Sequence, residues 1–324
     1  MLQVPTSAIK QAARSSGYAY SPIADWIEGS VLLGRPQYRR GDFLDALLDD
    51  QAGFQDPEEE TDPEAAFSRS DRANSRLMEA WQELRRREKA LGKQSPFAVK
   101  GTTISRRKTW RAWPEYSFCV FLALRPYYRS LNRTVFGKNY VQQGALFEGL
   151  VRNSVRAWGW KTVSAGFTEG NFARLVERLP VISNQIGVPV GGNLARWLSD
   201  DAQDGGLDVL AWLPFNDERP DQLFLLMQVK SGRDWEESLD QPSLRFWGKM
   251  LDFSSPPYKG LAMPFEIDDT TFSRKSNTLE GLLLNRSRLL APAPSGQLPP
   301  DKVLRRRIVT WLAPKFKGMP RIDN

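Results

Sequence analysis

The sequence lacks histidine entirely and contains a single cysteine among its 324 residues. Without histidine there can be no Ser-His-Asp or Cys-His catalysis, no histidine general base and no HExxH zinc motif. One cysteine cannot form an internal disulfide, and alone it supplies too few ligands for the usual structural zinc sites. The side chains left for metal binding are oxygen ligands, which suit Mg²⁺, Mn²⁺ or Ca²⁺.

Long hydrophobic runs are also missing. The longest apolar run, residues 118–124, is far shorter than the roughly 20 residues that span a bilayer. Residues 1–20 contain no apolar segment typical of an export signal. Together with the low cysteine content, this predicts a cytoplasmic protein without membrane association.

Positive charge exceeds negative charge, with 45 Lys and Arg against 38 Asp and Glu, a formal net charge of +7. A basic chain favours polyanionic partners such as nucleic acid, although many proteins are mildly basic without one. The distribution is more informative, because residues 85–111 are strongly basic and contain one acid, Glu88. We expect four residues at the end of this run to contribute to nucleic-acid affinity: Arg106, Arg107, Lys108 and Arg111.

Two tryptophans, Trp110 and Trp113, lie in or beside this basic run. Aromatic rings interleaved with basic residues can stack on nucleobases. The alternative is that the tryptophans pack within a core while the arginines are solvated. We favour the packing alternative.

The pattern of the chain changes near residue 135. Residues 1–135 predict a mainly helical domain, with helices at 20–33, 42–48 and 70–91 and extended segments between 96 and 111. Residues 136–291 predict a mixed α/β domain, and residues 292–324 a Pro-rich linker followed by a basic helix. The α/β domain is expected to contain helices at 141–158, 168–180 and 242–253 and strands at 160–167, 207–213, 223–229 and 259–267.

Polar side chains interrupt the two most apolar strands of this domain. Asp208 begins one strand, and Gln228 and Lys230 end the next. Gln228 and Lys230 share a face because strand side chains alternate, and a hairpin would bring Asp208 to the same end of the sheet. Glu148 lies at the margin of the apolar stripe of the preceding helix. Polar groups placed there are costly unless they are paired or used.

This cluster suits phosphodiester hydrolysis. Carboxylates can hold a divalent cation that neutralises the scissile phosphate and activates the attacking water. A nearby lysine can orient that water or stabilise negative charge in the transition state.

At these residues the chain resembles the PD-(D/E)xK nuclease superfamily over residues 140–270, but not over the first 130. The resemblance implies a restriction-endonuclease-like fold, with a mixed central sheet flanked by helices. It implies that Glu148, Asp208 and Gln228 bind Mg²⁺ (or Mn²⁺) and that these three residues and Lys230 form the catalytic set. Gln228 departs from the family's usual acid at that position. Arg233, just after the strand, could face a phosphate of a bound nucleic acid.

The predicted function is therefore a Mg²⁺-dependent endonuclease that cleaves DNA, within a bacterial restriction or anti-phage system. The N-terminal domain would select the substrate or bind a protein partner, and cleavage of both strands by one type of site favours a homodimer. The alternative is a nuclease-fold module that has lost cleavage and binds nucleic acid or assembles a complex. Gln228 favours that alternative, and the three intact residues of the set favour the enzyme. A third interpretation makes the protein a scaffold that acts through its Trp-rich half.

Overall fold

The computed structural model describes residues 1–7, 9, 20–49, 63–128, 140–165, 175–192, 194, 205–215, 217, 219, 222–293 and 301–322. The chain forms a mixed α/β fold in two compact units. Unit 1 comprises Met1–Lys138, Phe265–Asp268 and Arg305–Asn324, and unit 2 comprises Asn139–Pro264 and Asp269–Leu304. The first boundary lies close to the predicted one, but most of the C-terminal helix belongs to unit 1 and is not a separate segment. In the described part of the chain, no helix is both long and apolar enough to cross a membrane.

Unit 1 combines helices with a small antiparallel sheet. Its elements are α1 (Tyr20–Leu33), β1 (Gln37–Arg39), α2 (Arg40–Asp49), α3 (Pro63–Leu91), β2 (Phe97–Lys100), β3 (Thr103–Arg106) and α4 (Pro114–Leu124). The strand order is β1-β3-β2, and Gly101, with φ of +57°, lies in the turn between β2 and β3. The extended segments predicted between 96 and 111 pair as β2 and β3, but β3 ends at Arg106 and the chain then runs through bends and turns to α4. Helix α4 is apolar on all sides and is accordingly buried at every residue except Glu115.

A charged network lies inside unit 1. The Arg87 side chain in α3 is fully buried. Its Nη1 atom donates to Asp25 at 2.8 Å and to Glu28 at 3.0 Å, and its Nε atom donates to Glu83 at 2.7 Å. A second arginine, Arg86, also binds Glu83 and lies 3.6 Å from a carboxylate oxygen of Glu266. The network thus joins α1 and α3 to the segment 265–268.

Unit 2 is built around a five-stranded sheet. Its elements are α5 (Tyr140–Ala157), β4 (Lys161–Ser164), α6 (Leu175–Ile186), β5 (Val209–Leu213), β6 (Leu223–Val229), α7 (Leu244–Met250), β7 (Tyr258–Ala262), α8 (Asp269–Leu279), β8 (Leu282–Leu284) and α9 (Arg286–Leu290). A last helix, α10 (Lys302–Lys317), contains residues of both units. The strand order is β4-β5-β6-β7-β8. The first three strands form an antiparallel meander, and β7 and β8 add to it in parallel.

The core of unit 2 explains why β5 and β6 carry apolar residues on both faces. Leu210 and Leu226 of these strands belong to one buried cluster with Leu179 of α6 and Trp247 of α7. Helix α5 contacts the same strands together with β4. Central strands covered on both faces lose their alternating pattern, as the sequence indicated.

Several predicted boundaries require correction. Helix α6 continues through Pro180 to Ile186, because Leu179 and Ile182 pack into the core and outweigh the backbone hydrogen bond lost at proline. The segment 282–290 forms β8 and α9, which are not among the predicted elements. The predicted start of the 168–180 helix and most of the Pro-rich linker lie outside the described residues.

Candidate functional site

The hairpin of β5 and β6 brings Asp208 and Gln228 into direct contact. Val209 pairs with Met227, so Asp208, just before β5, lies across from Gln228 near the end of β6. The Nε2 atom of Gln228 donates a hydrogen bond of 2.7 Å to Oδ2 of Asp208. The predicted pairing of these two strands, and the meeting of their polar ends, are confirmed.

The Asp208 carboxylate also links the two strands at the end of the hairpin opposite its turn. The same Oδ2 atom accepts a hydrogen bond of 2.6 Å from the backbone N–H of Val229, and the backbone N–H of Asp208 donates to the Met227 carbonyl at 3.0 Å. Hydrogen bonds to a charged group each contribute about 1.5–3 kcal/mol. Asp208 is therefore held in one position before any ligand binds.

Gln228 has one buried atom without a partner among the described residues. The side chain is only 7% exposed, and its Oε1 atom has no hydrogen-bond partner within the described residues. The amide orientation follows from the chemistry, because only the nitrogen can donate to the Asp208 carboxylate. A buried acceptor without a partner costs about 1–3 kcal/mol. The unpaired oxygen beside a fixed carboxylate is a pair of donor atoms suited to a hard cation.

Glu148 approaches the neighbouring strand. It lies on α5 and is 6% exposed, and its Oε1 atom accepts a hydrogen bond of 2.6 Å from Ser164 of β4. Ser164 pairs with Val209, the residue after Asp208. Burial raises the pKa of Glu148, while the Ser164 hydroxyl and the charges of Arg152 and Arg178 act in the opposite direction.

Glu148 thus accepts a hydrogen bond from Ser164, whereas Asp208 and Gln228 are bonded to each other. No group of three or more Asp, Glu, Cys or His side chains suited to a metal occurs in the described part of the chain. The oxygen donors that the structure brings together are one carboxylate, from Asp208, and one amide, from Gln228.

Lys230 follows β6 at the end of the sheet where Asp208 and Gln228 meet. Its backbone N–H donates to the Ala262 carbonyl of β7 at 2.9 Å, and the residue is half-buried. The ammonium group makes no hydrogen bond or ion pair with the residues that the structure describes. Its position beyond Gln228 leaves a positive charge available at this end of the sheet.

Sequence reasoning missed Gln143 as a supporting residue. Gln143 of α5 is 4% exposed, and its Nε2 atom donates to the Ser231 hydroxyl at 3.0 Å. The contact fixes the segment that follows Lys230. The available signal was an amide on the apolar stripe of the helix, three and four residues before Leu146 and Phe147.

Gly206 and Gln241 are a second supporting pair. Gly206 has φ of +72°, and a Cβ atom there would lie 2.1 Å from Oε1 of Gln241. The positive φ favours glycine at this position, two residues before Asp208. The contact places the segment 238–241 against the start of the hairpin.

The predicted nucleic-acid-binding residues divide into a half-buried group and an exposed group. The Nη1 atom of Arg106 donates to carbonyl oxygens at the end of α1, at 3.3 Å from those of Leu32 and Gly34. Lys108 donates to the Gln94 carbonyl at 2.9 Å. These two cations serve the fold of unit 1.

The remaining predicted cations are exposed at the surface. Arg107 pairs with Glu88 at 2.8 Å, Arg111 stacks 4.5 Å from the centre of the Trp110 ring, and Arg233 begins the 3-10 helix Arg233–Ser238 of unit 2.

The two tryptophans of the basic run are half-buried and pack against other aromatic rings of unit 1. Trp110 meets Phe316 edge-on, and Trp113 stacks on Tyr116. These contacts agree with the packing interpretation.

Comparison with known proteins gives no family assignment. No protein-family model matches the chain, and no curated protein is significantly similar to it. A search of solved structures finds the crystal structure of protein VC1899 from Vibrio cholerae, 13% identical, with a TM-score of 0.19. The alignment covers 99% of this chain and 56% of that chain, so the chain spans about half the length of that protein. A similarity at this TM-score carries no argument about fold or function.

Proposed function

We propose that the protein is a metal-dependent endonuclease that hydrolyses phosphodiester bonds in DNA. The observation that carries the proposal is the buried Oε1 atom of Gln228, which has no partner in the described part of the chain and lies beside the fixed carboxylate of Asp208. Such an atom calls for an explanation, and a bound cation supplies one. Lys230 lies at the same end of the sheet.

The order of elements in unit 2 supports the proposal. Helix α5 precedes the antiparallel meander β4-β5-β6, and after α7 the strand β7 pairs with β6 in parallel. This is the α-β-β-β-α-β order of the PD-(D/E)xK superfamily that the sequence resembles. Helix α6, between β4 and β5, is additional to that order.

The donor atoms suit Mg²⁺ or Mn²⁺. Mg²⁺ usually binds through one or two carboxylates and retains several waters, so Asp208 with the amide oxygen of Gln228 is a sufficient protein contribution. Glu148 would be the second carboxylate, using the oxygen that Ser164 does not occupy. When bound, the cation would neutralise the scissile phosphate and activate the attacking water.

Each side chain then has a separate task. The Val229 N–H and the Gln228 amide hold the Asp208 carboxylate in place. The Lys230 ammonium would stabilise the negative charge that develops on the phosphate, where a fixed positive group is most effective. Gln143 would keep the segment after Lys230 in position through Ser231.

The proposed setting is a bacterial restriction or anti-phage system in the cytoplasm. Unit 1 would bind the substrate or a protein partner, and a homodimer would supply two sites for cutting both strands.

A second candidate function is a nuclease-like module that binds nucleic acid or assembles a complex without cleavage. The observation that favours it is the structural use of Asp208, whose carboxylate closes the hairpin. Gln228 is also neutral and attracts a cation less than an acid would.

Nicking of supercoiled plasmid by the purified protein, with Mg²⁺ or Mn²⁺ and with EDTA, separates the two candidates. Asp208→Asn is the sharpest variant, because asparagine still offers an acceptor to the Val229 N–H but removes the charge. We expect it to lose at least about 100-fold in cleavage while its circular dichroism spectrum is unchanged. Lys230→Ala should also be inactive but should still bind Mn²⁺ in a calorimetric titration.

Two results would contradict the proposed endonuclease activity. Asp208→Asn that cuts as fast as the parent would show that the site is misassigned. A parent that cuts neither DNA nor RNA under any metal condition would leave the binding module as the better function.

A further inference from the structure

A surface cavity of about 610 Å³ in unit 1 is lined mainly by cations. It lies at the C-terminal end of α3, where the chain turns through the 3-10 helix Gly92–Gln94. We call it the basic cavity, and its lining residues are Arg85, Glu88, Lys89, Gly92, Lys93 and Arg107. Four of the six carry positive charge.

The one acid of the basic cavity is already neutralised. Glu88 accepts a hydrogen bond from the Val99 backbone N–H at 2.9 Å through Oε2 and pairs with Arg107 at 2.8 Å through Oε1. The Arg107 guanidinium is thereby held at the cavity. Arg85 is held there as well, because its Nη2 atom donates to the Gly101 carbonyl at 2.9 Å.

The two lysines of the cavity, Lys89 and Lys93, are exposed. Neither ammonium group has a hydrogen bond or ion pair with the residues described. The cavity thus presents two arginines fixed by the protein and two lysines ready to bind an anion.

Helix stability does not explain this arrangement. A cation in the last turn of a helix interacts well with the helix dipole, which accounts for Lys89 alone. Arg85 and Lys89 are four residues apart on α3, and like charges at that spacing repel by about 0.2–0.5 kcal/mol. Lys93 and Arg107 add further positive charge to the same place. A bound polyanion would offset this repulsion.

We propose that the basic cavity binds phosphate groups of a nucleic-acid backbone. The inference deepens the proposed function and rests on it for the identity of the polyanion. Arginine can bind a phosphate through two parallel hydrogen bonds, and lysine binds it as a point charge. Of the predicted basic run, Arg107 belongs to this surface, whereas Arg106 and Lys108 are bonded to backbone carbonyls.

Fluorescence anisotropy with a labelled DNA duplex, in EDTA, tests the proposal without any cleavage. The test variant is Lys89→Gln with Lys93→Gln. The matched control is Arg39→Gln with Lys317→Gln, which removes the same charge from exposed positions of unit 1 that do not line the cavity. Affinity is measured from about 50 to about 200 mM salt.

The expected result is a loss specific to the test variant. Each phosphate contact contributes about 0.9 to the slope of log affinity against log salt. The double lysine variant should therefore flatten the slope by about 2, and bind about tenfold more weakly at the lower salt. The control should follow the parent.

Two outcomes would overturn the inference: equal effects in both double variants, or a parent that binds no duplex and no single strand at low salt. If the parent binds DNA with a salt-dependent affinity but never cleaves it, phosphate binding at the basic cavity still holds and only the endonuclease proposal fails. The two proposals therefore fail separately.

Discussion

Replacing Gln228 with glutamate is the most direct test of a cation beside Asp208. The change removes the hydrogen bond of 2.7 Å from the Gln228 amide to Asp208 and places two carboxylates together. At about 4 Å and an effective dielectric constant near 20, two such charges repel by about 4 kcal/mol. Protonating one of them at pH 7 costs about 3.7 kcal/mol, given a reference pKa near 4.3. The protonated group can donate to Asp208, so we expect a net destabilisation of about 3–4 kcal/mol without metal.

A divalent cation between the two carboxylates would offset most of this loss. Mg²⁺ at 100 times its dissociation constant stabilises the folded state by about 2.7 kcal/mol, and the added charge should tighten binding to Gln228→Glu relative to the parent. The measurement is thermal unfolding by circular dichroism, in EDTA and in Mg²⁺ or Mn²⁺. Gln228→Met is the control, because it keeps the length of the side chain but has no oxygen.

The pH dependence of Gln228→Glu has a definite sign. Repulsion raises the pKa of the carboxylate pair in the folded state above its unfolded value, so the penalty exists at neutral pH and shrinks as the pH falls towards 5. The reasoning is refuted if metal raises the melting temperature of Gln228→Glu no more than that of the parent or of Gln228→Met.

Two other buried acids give predictions of opposite sign. Burial raises the pKa of Glu148, so its ionised form lowers stability above the unfolded pKa. Glu148→Gln, which can still accept the Ser164 hydroxyl, should raise the melting temperature at pH 7, with a gain that shrinks as the pH falls, while plasmid cleavage is lost. Burial of Glu83 acts to raise its pKa, but Arg87 and Arg86 outweigh it and lower the pKa to about 2. Glu83 therefore contributes about 3 kcal/mol above pH 4.5 that disappears towards pH 2, and Glu83→Gln should flatten an acid-unfolding curve over that range. Arg87→Met removes the cation that binds Asp25, Glu28 and Glu83, of which Glu83 retains Arg86, and should cost about 3–5 kcal/mol in urea unfolding at pH 7.

The polar end of the β5-β6 hairpin could be predicted from sequence because side chains alternate in direction along a strand and the two strands are joined by a turn. Apolar residues on both faces marked two central strands, and their termini fixed Asp208 and Gln228 at one end. The sequence could not show that the Gln228 amide donates to Asp208, or that its oxygen is buried without a partner among the described residues. Both depend on distances of a few ångströms across the hairpin.

The basic run shows the limit of reading charge along a chain. Arg106 and Arg107 are adjacent, yet one donates to the end of α1 and the other pairs with Glu88 at the surface. Local charge is the same for both, and only the tertiary path of the chain separates them. Arg87, by contrast, could have been found, because it lies on the buried stripe of α3 between Leu84 and Leu91.

The discontinuous chain of unit 1 has a consequence for biosynthesis. Domains usually fold in order as they leave the ribosome. Synthesis begins with unit 1, yet two of its contacts form late. Glu266, the partner of Arg86, is translated after every strand of the unit 2 sheet except β8. Trp311, which meets Phe118 and Phe121 edge-on, is translated after the whole sheet. Arg86 must therefore wait for Glu266, and Phe118 and Phe121 for Trp311, while most of the chain is made. A nascent chain stalled near residue 260 would hold a complete β4-β5-β6 meander but an unfinished first core.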